Sequence, residues 1–186
     1  LGALEVIRTS LEDNVPHADL YLYAEAIIGQ GCEVIVSQQL MVSKDAPPTP
    51  EQDAKLAALL DIAGRSESPE LEADTEARFE ESGSWGSPVA RVEAAQAYWE
   101  LLAQRTDLYR DLILRAEVLL ADRHPAVRLN ASLRLVKIWD LDRDRFWQLL
   151  RDFLAHEPNL AVIEHLVGGV ISKLIHADQQ QSLELL

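Results

Sequence analysis

Side chains that could bind a metal ion are concentrated late in the chain, at His156, Glu157, Glu164 and His165. Helical metal sites usually carry ligands three or four residues apart, because that spacing places two side chains on one face. His156 is predicted at a corner between helices and His165 inside the next helix, so their imidazoles need not converge. The pattern favours surface and corner roles, and we predict no metal centre.

Cys32 is the single cysteine, so an intrachain disulfide is impossible. A reactive thiolate needs a nearby cation that lowers its pKa, whereas Cys32 follows Gly31 and has no basic neighbour. The sequence has no GxxxxGK[ST] phosphate loop, GxGxxG motif, GxSxG nucleophile elbow or HExxH zinc motif. We therefore predict a structural cysteine, no catalytic residue and no cofactor, and interpret the chain as a non-enzyme.

Asp122 and Arg128 bring a carboxylate and a guanidinium together in the stretch 119–139, LLADRHPAVRLNASLRLVKIW. This stretch reads as the end of an apolar helix, an Asp-Arg-His-Pro corner and a second helix. Pro125 suits the first turn of that second helix, where no backbone N–H is needed. Apolar residues then recur at helical spacing and predict a buried stripe of Val127, Ala131, Leu135 and Ile138.

The proline-led helix recurs along the chain. Pro88 lies 37 residues before Pro125, and Pro158 lies 33 residues after it. The earlier copy keeps Arg91 at the position of Arg128, whereas the later copy has no arginine there. A helical unit that recurs every 33 to 37 residues predicts stacked hairpins.

At these residues the chain resembles the HEAT repeat family, whose hairpins carry an aspartate at the corner, a proline soon after, and Val-Arg early in the second helix. The resemblance covers about half of the chain, from Trp85 onward. It implies an α-α superhelix in which Asp122, Pro125 and Arg128 are structural corner residues. The pattern is also similar to repeat regions of large multidomain bacterial NTPases. Residue 1 is leucine rather than methionine, and residues 183–186 read as a helix that continues, so we interpret the chain as a segment of a larger protein.

The whole chain is predicted to be all-α and to have three parts. Residues 1–42 form less regular N-terminal helices, and residues 43–84 form a Pro-rich loop, one helix and an acidic linker. Residues 85–186 contain the HEAT-like hairpins. Thr49 and Gln52 are spaced as a capping box for the helix of the middle part.

Residues 65–84 are strongly acidic, with seven carboxylates against Arg65 and Arg78. We interpret this stretch as a solvated linker or exposed helix, because low hydrophobicity and like charges oppose burial. The alternative is an acidic arm that binds a basic partner.

The chain carries 31 acidic and 17 basic residues, a net charge of −14. This charge repels nucleic-acid phosphates and anionic lipid surfaces, so we predict neither a nucleic-acid nor a membrane partner. No apolar run in the sequence reaches the length of a spanning helix. With its lone cysteine, the chain is predicted to be cytoplasmic.

The tryptophans divide between core and surface. Trp85 lies in a predicted loop and is expected to be exposed at an interaction face. The others fall at or near apolar stripe positions and are expected in the core, the alternative being an aromatic interaction patch: Trp99, Trp139 and Trp147.

The function that we predict is a non-catalytic protein-interaction or scaffold segment, whose partner is another protein or other domains of its parent. Asn130, Arg134 and Lys137 lie off the apolar stripe and are expected to contribute to the interaction face. We expect Asn130 to be solvated and Ala131 to be buried. Two alternatives stay open: a HEAT-like enzyme acting on nucleic acid, as the family's DNA glycosylases do, and a homo-oligomeric structural module.

Overall fold

The computed structural model describes residues 1–13, 18–42 and 49–185. All regular structure in these ranges is helical, so the predicted all-α class is confirmed. Of the proline-rich loop predicted at residues 43–50, residues 43–48 lie outside the described residues. Up to Gln104 the described residues contain five helices: α1 (Gly2–Asp13), α2 (Ala18–Val42), α3 (Pro50–Gly64), α4 (Thr75–Ser82) and α5 (Ala90–Gln104).

A 3₁₀ turn at Thr106–Leu108 leads into the second half of the molecule. Its helices are α6 (Tyr109–Leu120), α7 (Pro125–Arg134), α8 (Arg143–His156), α9 (Leu160–Leu166), α10 (Ser172–Leu174) and α11 (Gln179–Leu183). Helix α7 continues into a 3₁₀ turn, Leu135–Ile138, and α9 continues into a π-helical turn, Val167–Ile171.

The helices form two layers. In the inner layer α2, α5, α7 and α9 lie side by side in chain order. In the outer layer α3 covers α2 and α5, α6 covers α5 and α7, and α8 packs on the turn after α7. Helix α5 is buried along most of its length, including Trp99. The buried stripe predicted on the second helix of the central hairpin is confirmed, since all four of its residues are buried.

Local sequence explains several helix boundaries. The capping box of α3 is confirmed: the Gln52 backbone N–H donates to Thr49 Oγ1 at 3.3 Å, and the Thr49 N–H donates to Gln52 Oε1 at 2.8 Å. Helix α2 passes through Gly29 without a break. A Cβ at Gly29 would come within 3.1 Å of the Ala90 carbonyl oxygen, so the glycine allows α2 and α5 to approach closely.

The acidic stretch, which we interpreted as a solvated linker or an exposed helix, contains a helix whose side chains are mostly exposed. This helix is α4, which packs on α7 and α9. Phe79 of α4 is buried, and Glu76 accepts hydrogen bonds from the side chains of Arg128 and Asn159. The buried side chains of Arg128 and Asn159 donate hydrogen bonds to Glu76 and so hold this carboxylate-rich helix against α7 and α9.

Candidate interaction surface

The corner of the central hairpin is tied to the next hairpin by Arg128. Its Nε and Nη2 donate to Glu157 Oε2 and Oε1 at 2.8 and 2.9 Å. Nη2 also donates to Glu76 Oε1 at 2.9 Å, and Nη1 donates to the Asp122 carbonyl oxygen at 3.0 Å. The Glu157 side chain is 0% exposed. These contacts occupy the guanidinium group on every side, and a paired, buried arginine of this kind is a structural tie.

The same tie occurs one hairpin earlier. Arg91 Nε and Nη2 donate to Asp122 Oδ2 and Oδ1 at 2.9 and 3.3 Å. The remaining Arg91 donors reach the carbonyl oxygens of Ser66 and Pro69 at 2.5 and 2.9 Å. Each tie therefore joins an arginine early in an inner helix to the carboxylate at the following corner.

Each of the two corner carboxylates also accepts a backbone hydrogen bond from the residue two positions later. The backbone N–H of His124 donates to Asp122 Oδ1 at 2.8 Å, and that of Asn159 donates to Glu157 Oε1 at 3.0 Å. His124 and Asn159 then cap α7 and α9 with their side chains. Burial, reinforced by the charge of Arg91, lowers the pKa of His124 and keeps its Nδ1 free to accept the capping bond.

The sequence analysis did not predict the pairing of Glu157 with Arg128, because Glu157 was grouped with His156 as a possible metal ligand. The signal was present as an acidic residue two positions before a helix cap, preceded by an arginine about one repeat earlier. His156 and His165 each use Nδ1 on a backbone carbonyl at 2.7 Å, four residues back. No cluster of three or more metal-ligating side chains occurs among the described residues. Burial raises the pKa of Cys32 to about 12, which removes its thiolate at neutral pH.

The polar face predicted on the central helix is occupied by contacts to α5. Asn130 is buried and accepts a hydrogen bond from Gln96 Nε2 at 2.9 Å, so the expectation that it is solvated is wrong. Arg134 Nη2 donates to Gln96 Oε1 at 3.4 Å, and Lys137 Nζ lies 2.8 Å from Glu100 Oε2. Polar side chains of α7 and its 3₁₀ extension face partners on the adjacent inner helix, which a single-helix pattern cannot show. Ala131 is buried as expected.

The tryptophans lie mostly as predicted. Trp85 is exposed and stacks on Phe79, with 6.4 Å between ring centroids. Trp99 and Trp147 are buried. Trp139 is partly buried and packs edge to face with Trp147 at 5.4 Å. The aromatic side chains therefore contribute to packing, and Trp85 alone of the four is exposed.

A pair of large aliphatic side chains stands out on the outer layer. Leu114 and Val118 lie one turn apart on α6 and are 65% and 69% exposed, while Ala116 and Leu119 on the other face are buried. Ala121, just after the helix, continues the exposed line. We call Leu114, Val118 and Ala121 the α6 ridge. The sequence gives no sign of it, because both faces of α6 carry aliphatic residues.

A cleft lies on one side of the α6 ridge, between α6 and α8, and encloses about 590 Å³. Leu120, Leu149 and Phe153 supply its apolar lining. Glu117 is held at this cleft by Arg145, whose Nε and Nη2 donate to it at 2.8 and 2.6 Å. We call this the α6–α8 cleft.

A shallower groove of about 370 Å³ lies on the other side, between α3 and α6. Asp61 there accepts from Tyr98 Oη at 2.6 Å and pairs with Arg115 at 2.5 Å. Asp53 is buried and pairs with Arg105. Burial raises the pKa of Asp53, although the charge of Arg105 opposes the shift. The α6 ridge is thus flanked by two depressions that contain carboxylates.

Comparisons with known proteins give no match to a family model, to a curated protein or to a solved structure. The HEAT assignment therefore stays a prediction. No helix in the described ranges is long and apolar enough to cross a membrane.

Proposed function

We propose that this chain is a non-enzymatic protein-interaction segment of a larger, cytoplasmic scaffold protein, and that it contacts its partner through the α6 ridge. The observation that carries the proposal is the exposure of Leu114 and Val118 at adjacent turns of one helix. Single exposed aliphatic residues are common on protein surfaces. Two that share a face are less common, and Ala121 of the same ridge also lines the α6–α8 cleft. Exposed apolar side chains grouped in this way are of the kind that proteins cover with a partner.

The free energy available at this surface is appreciable. Complete burial of a valine or leucine side chain contributes roughly 1.5–3 kcal/mol. Since Leu114 and Val118 are about two-thirds exposed, covering both would contribute roughly 2–4 kcal/mol. That amount corresponds to about 30- to 1000-fold in affinity and makes the pair a credible energetic centre for an interface.

A HEAT-like stacking of hairpins is part of the proposal. It is supported by the two ties, Arg91 to Asp122 and Arg128 to Glu157, and by the matching contacts of His124 and Asn159. Repeated contacts at equivalent positions are typical of solenoids, whose extended surfaces bind partners. In this arrangement the polar side chains of α7 and its 3₁₀ extension bind the adjacent inner helix α5, and the outer helices present the binding surface.

Site-specific photocrosslinking tests the proposed function. A photoreactive phenylalanine analogue is introduced at Val118 and, as a control, at Leu160, which is similarly exposed on α9. In an extract of the source cells, we expect a defined protein adduct at Val118 and none at Leu160. Equal labelling at the two positions, or none at Val118, would contradict the proposal.

A further inference from the structure

The chemistry of the α6 ridge and its surroundings indicates which kind of partner it fits. Resting on the proposed function, we propose that the occupant is a positively charged amphipathic helix of another protein, lying along the α6–α8 cleft. Its apolar face covers the α6 ridge and the lining of the cleft, and a lysine or arginine reaches Asp152. An amphipathic helix in an apolar groove is a recurring mode of recognition.

The shape of the site favours a helix. Leu114 and Val118 are separated by one turn, about 6 Å along the axis of α6. Side chains on a helix surface form ridges at this spacing, and such ridges pack into the grooves of a neighbouring helix. Ala121 of the ridge lines the cleft together with Leu149 and Phe153, so a second helix can contact α6 and α8 together.

The charges along the ridge favour a basic occupant. The two depressions contain four arginines: Arg105, Arg115, Arg128 and Arg145. They contain twice as many carboxylates: Asp53, Asp61, Asp107, Asp111, Glu117, Asp122, Asp152 and Glu157. Each of these arginines already has a carboxylate partner, and Asp122 is paired with Arg91 from outside the depressions. Among the described residues, Asp111 and Asp152 are the lining carboxylates without an arginine partner, so the excess charge presented to an incoming segment is negative.

Asp152 is the group best placed to receive a cation. It is exposed at the mouth of the cleft, and the described part of the chain gives its carboxylate no ion-pair partner. The nearby Glu117 is already engaged by Arg145. A lysine or arginine can lay its aliphatic stem on Leu149 and Phe153 while its charged end meets Asp152, which is how such side chains cross apolar surfaces.

The test uses two synthetic probes and the intact chain. One fluorescein-labelled peptide of about 18 residues has a leucine face and a lysine face, and the other has glutamate in place of every lysine. Fluorescence anisotropy at physiological salt gives the affinity of each. The variants are Leu114→Ser/Val118→Ser and Asp152→Asn, with Leu160→Ser and Glu164→Gln as controls at exposed positions outside the cleft.

We expect the lysine peptide to bind and the glutamate peptide not to bind. Affinity for the lysine peptide should fall about tenfold or more in Leu114→Ser/Val118→Ser, as at interface centres. It should fall severalfold in Asp152→Asn and stay unchanged in the two controls. All five substituted side chains are exposed, so we expect each variant to keep the fold, and circular dichroism of each variant verifies this.

Three results would overturn the proposal. If Asp152→Asn and Glu164→Gln weaken binding equally, the attraction is only that of a basic peptide for an acidic protein. If the glutamate peptide binds with the same dependence on the α6 ridge, the ridge is an interaction site but its partner is not basic. If light scattering shows a dimer that Leu114→Ser/Val118→Ser abolishes, the occupant is a second copy. The second result leaves the proposed function intact, whereas crosslinking that is equal at Val118 and Leu160 removes it.

Discussion

Removing Arg128 should destabilise the protein far more than removing a comparable surface arginine. Arg128→Met deletes both hydrogen bonds to Glu157 and the contact to Glu76, while the aliphatic stem is largely kept. Glu157 remains completely buried and keeps only the hydrogen bond from the Asn159 backbone. Breaking a buried ion pair by deleting one partner costs about 3–5 kcal/mol, because the other charge is left unpaired.

Arg123→Met is the matched control. Arg123 lies five residues away and pairs with Glu67, but the side chains are 50% and 75% exposed. Solvent screens an exposed pair of this kind, so we expect Arg123→Met to change the free energy of unfolding little. Urea unfolding followed by circular dichroism gives both free energies from the midpoint and slope.

A second substitution identifies the cause of the loss. Adding Glu157→Gln to Arg128→Met removes the unpaired charge, while the side-chain oxygen can still accept from Asn159. The double variant should be more stable than Arg128→Met alone. A loss in Arg128→Met no larger than that in Arg123→Met would refute the structural role of the tie, and a further loss in the double variant would refute the buried-charge explanation.

Asn130→Glu should cost more than about 1 kcal/mol in urea unfolding and so approach Ala131→Glu, because it introduces a carboxylate at a buried position. His124→Asn should flatten the pH dependence of stability: the lowered pKa of His124 means that the unfolded chain binds more protons below about pH 6.5, so the wild type loses stability as pH falls, whereas asparagine caps without titrating. Gly29→Ala should lower the melting temperature, because its Cβ meets the neighbouring inner helix. Gly168→Ala has open space and should raise the melting temperature or leave it unchanged.

The sequence predicts local structure well wherever one helix contains the whole signal. Pro125 marks the start of α7, and the apolar period from Val127 places its buried face correctly. The prediction that Asn130 is solvated is wrong because its burial depends on Gln96 of α5, 34 positions earlier. For a polar residue off the apolar stripe, the local sequence pattern is the same whether the side chain contacts solvent or a polar side chain of another helix.

The α6 ridge and the contacts of the acidic stretch could not be predicted from the sequence, for related reasons. Glu76 contacts Asn159 across 83 positions, and no local pattern indicates that contact. Leu114 and Val118 look like core residues, since α6 is aliphatic on both faces. Their exposure follows only from the placement of α6 in the outer layer, between α3 and α8.

Competition at the photocrosslinking site tests the central claim most directly. The chain carrying the photoreactive residue at Val118 is irradiated in source-cell extract with an excess of unlabelled competitor. Unmodified chain should suppress the adduct, whereas the Leu114→Ser/Val118→Ser chain should suppress it at least about tenfold less effectively. Equal suppression by the two competitors would show that the α6 ridge contributes nothing to partner binding, and would contradict the proposed function.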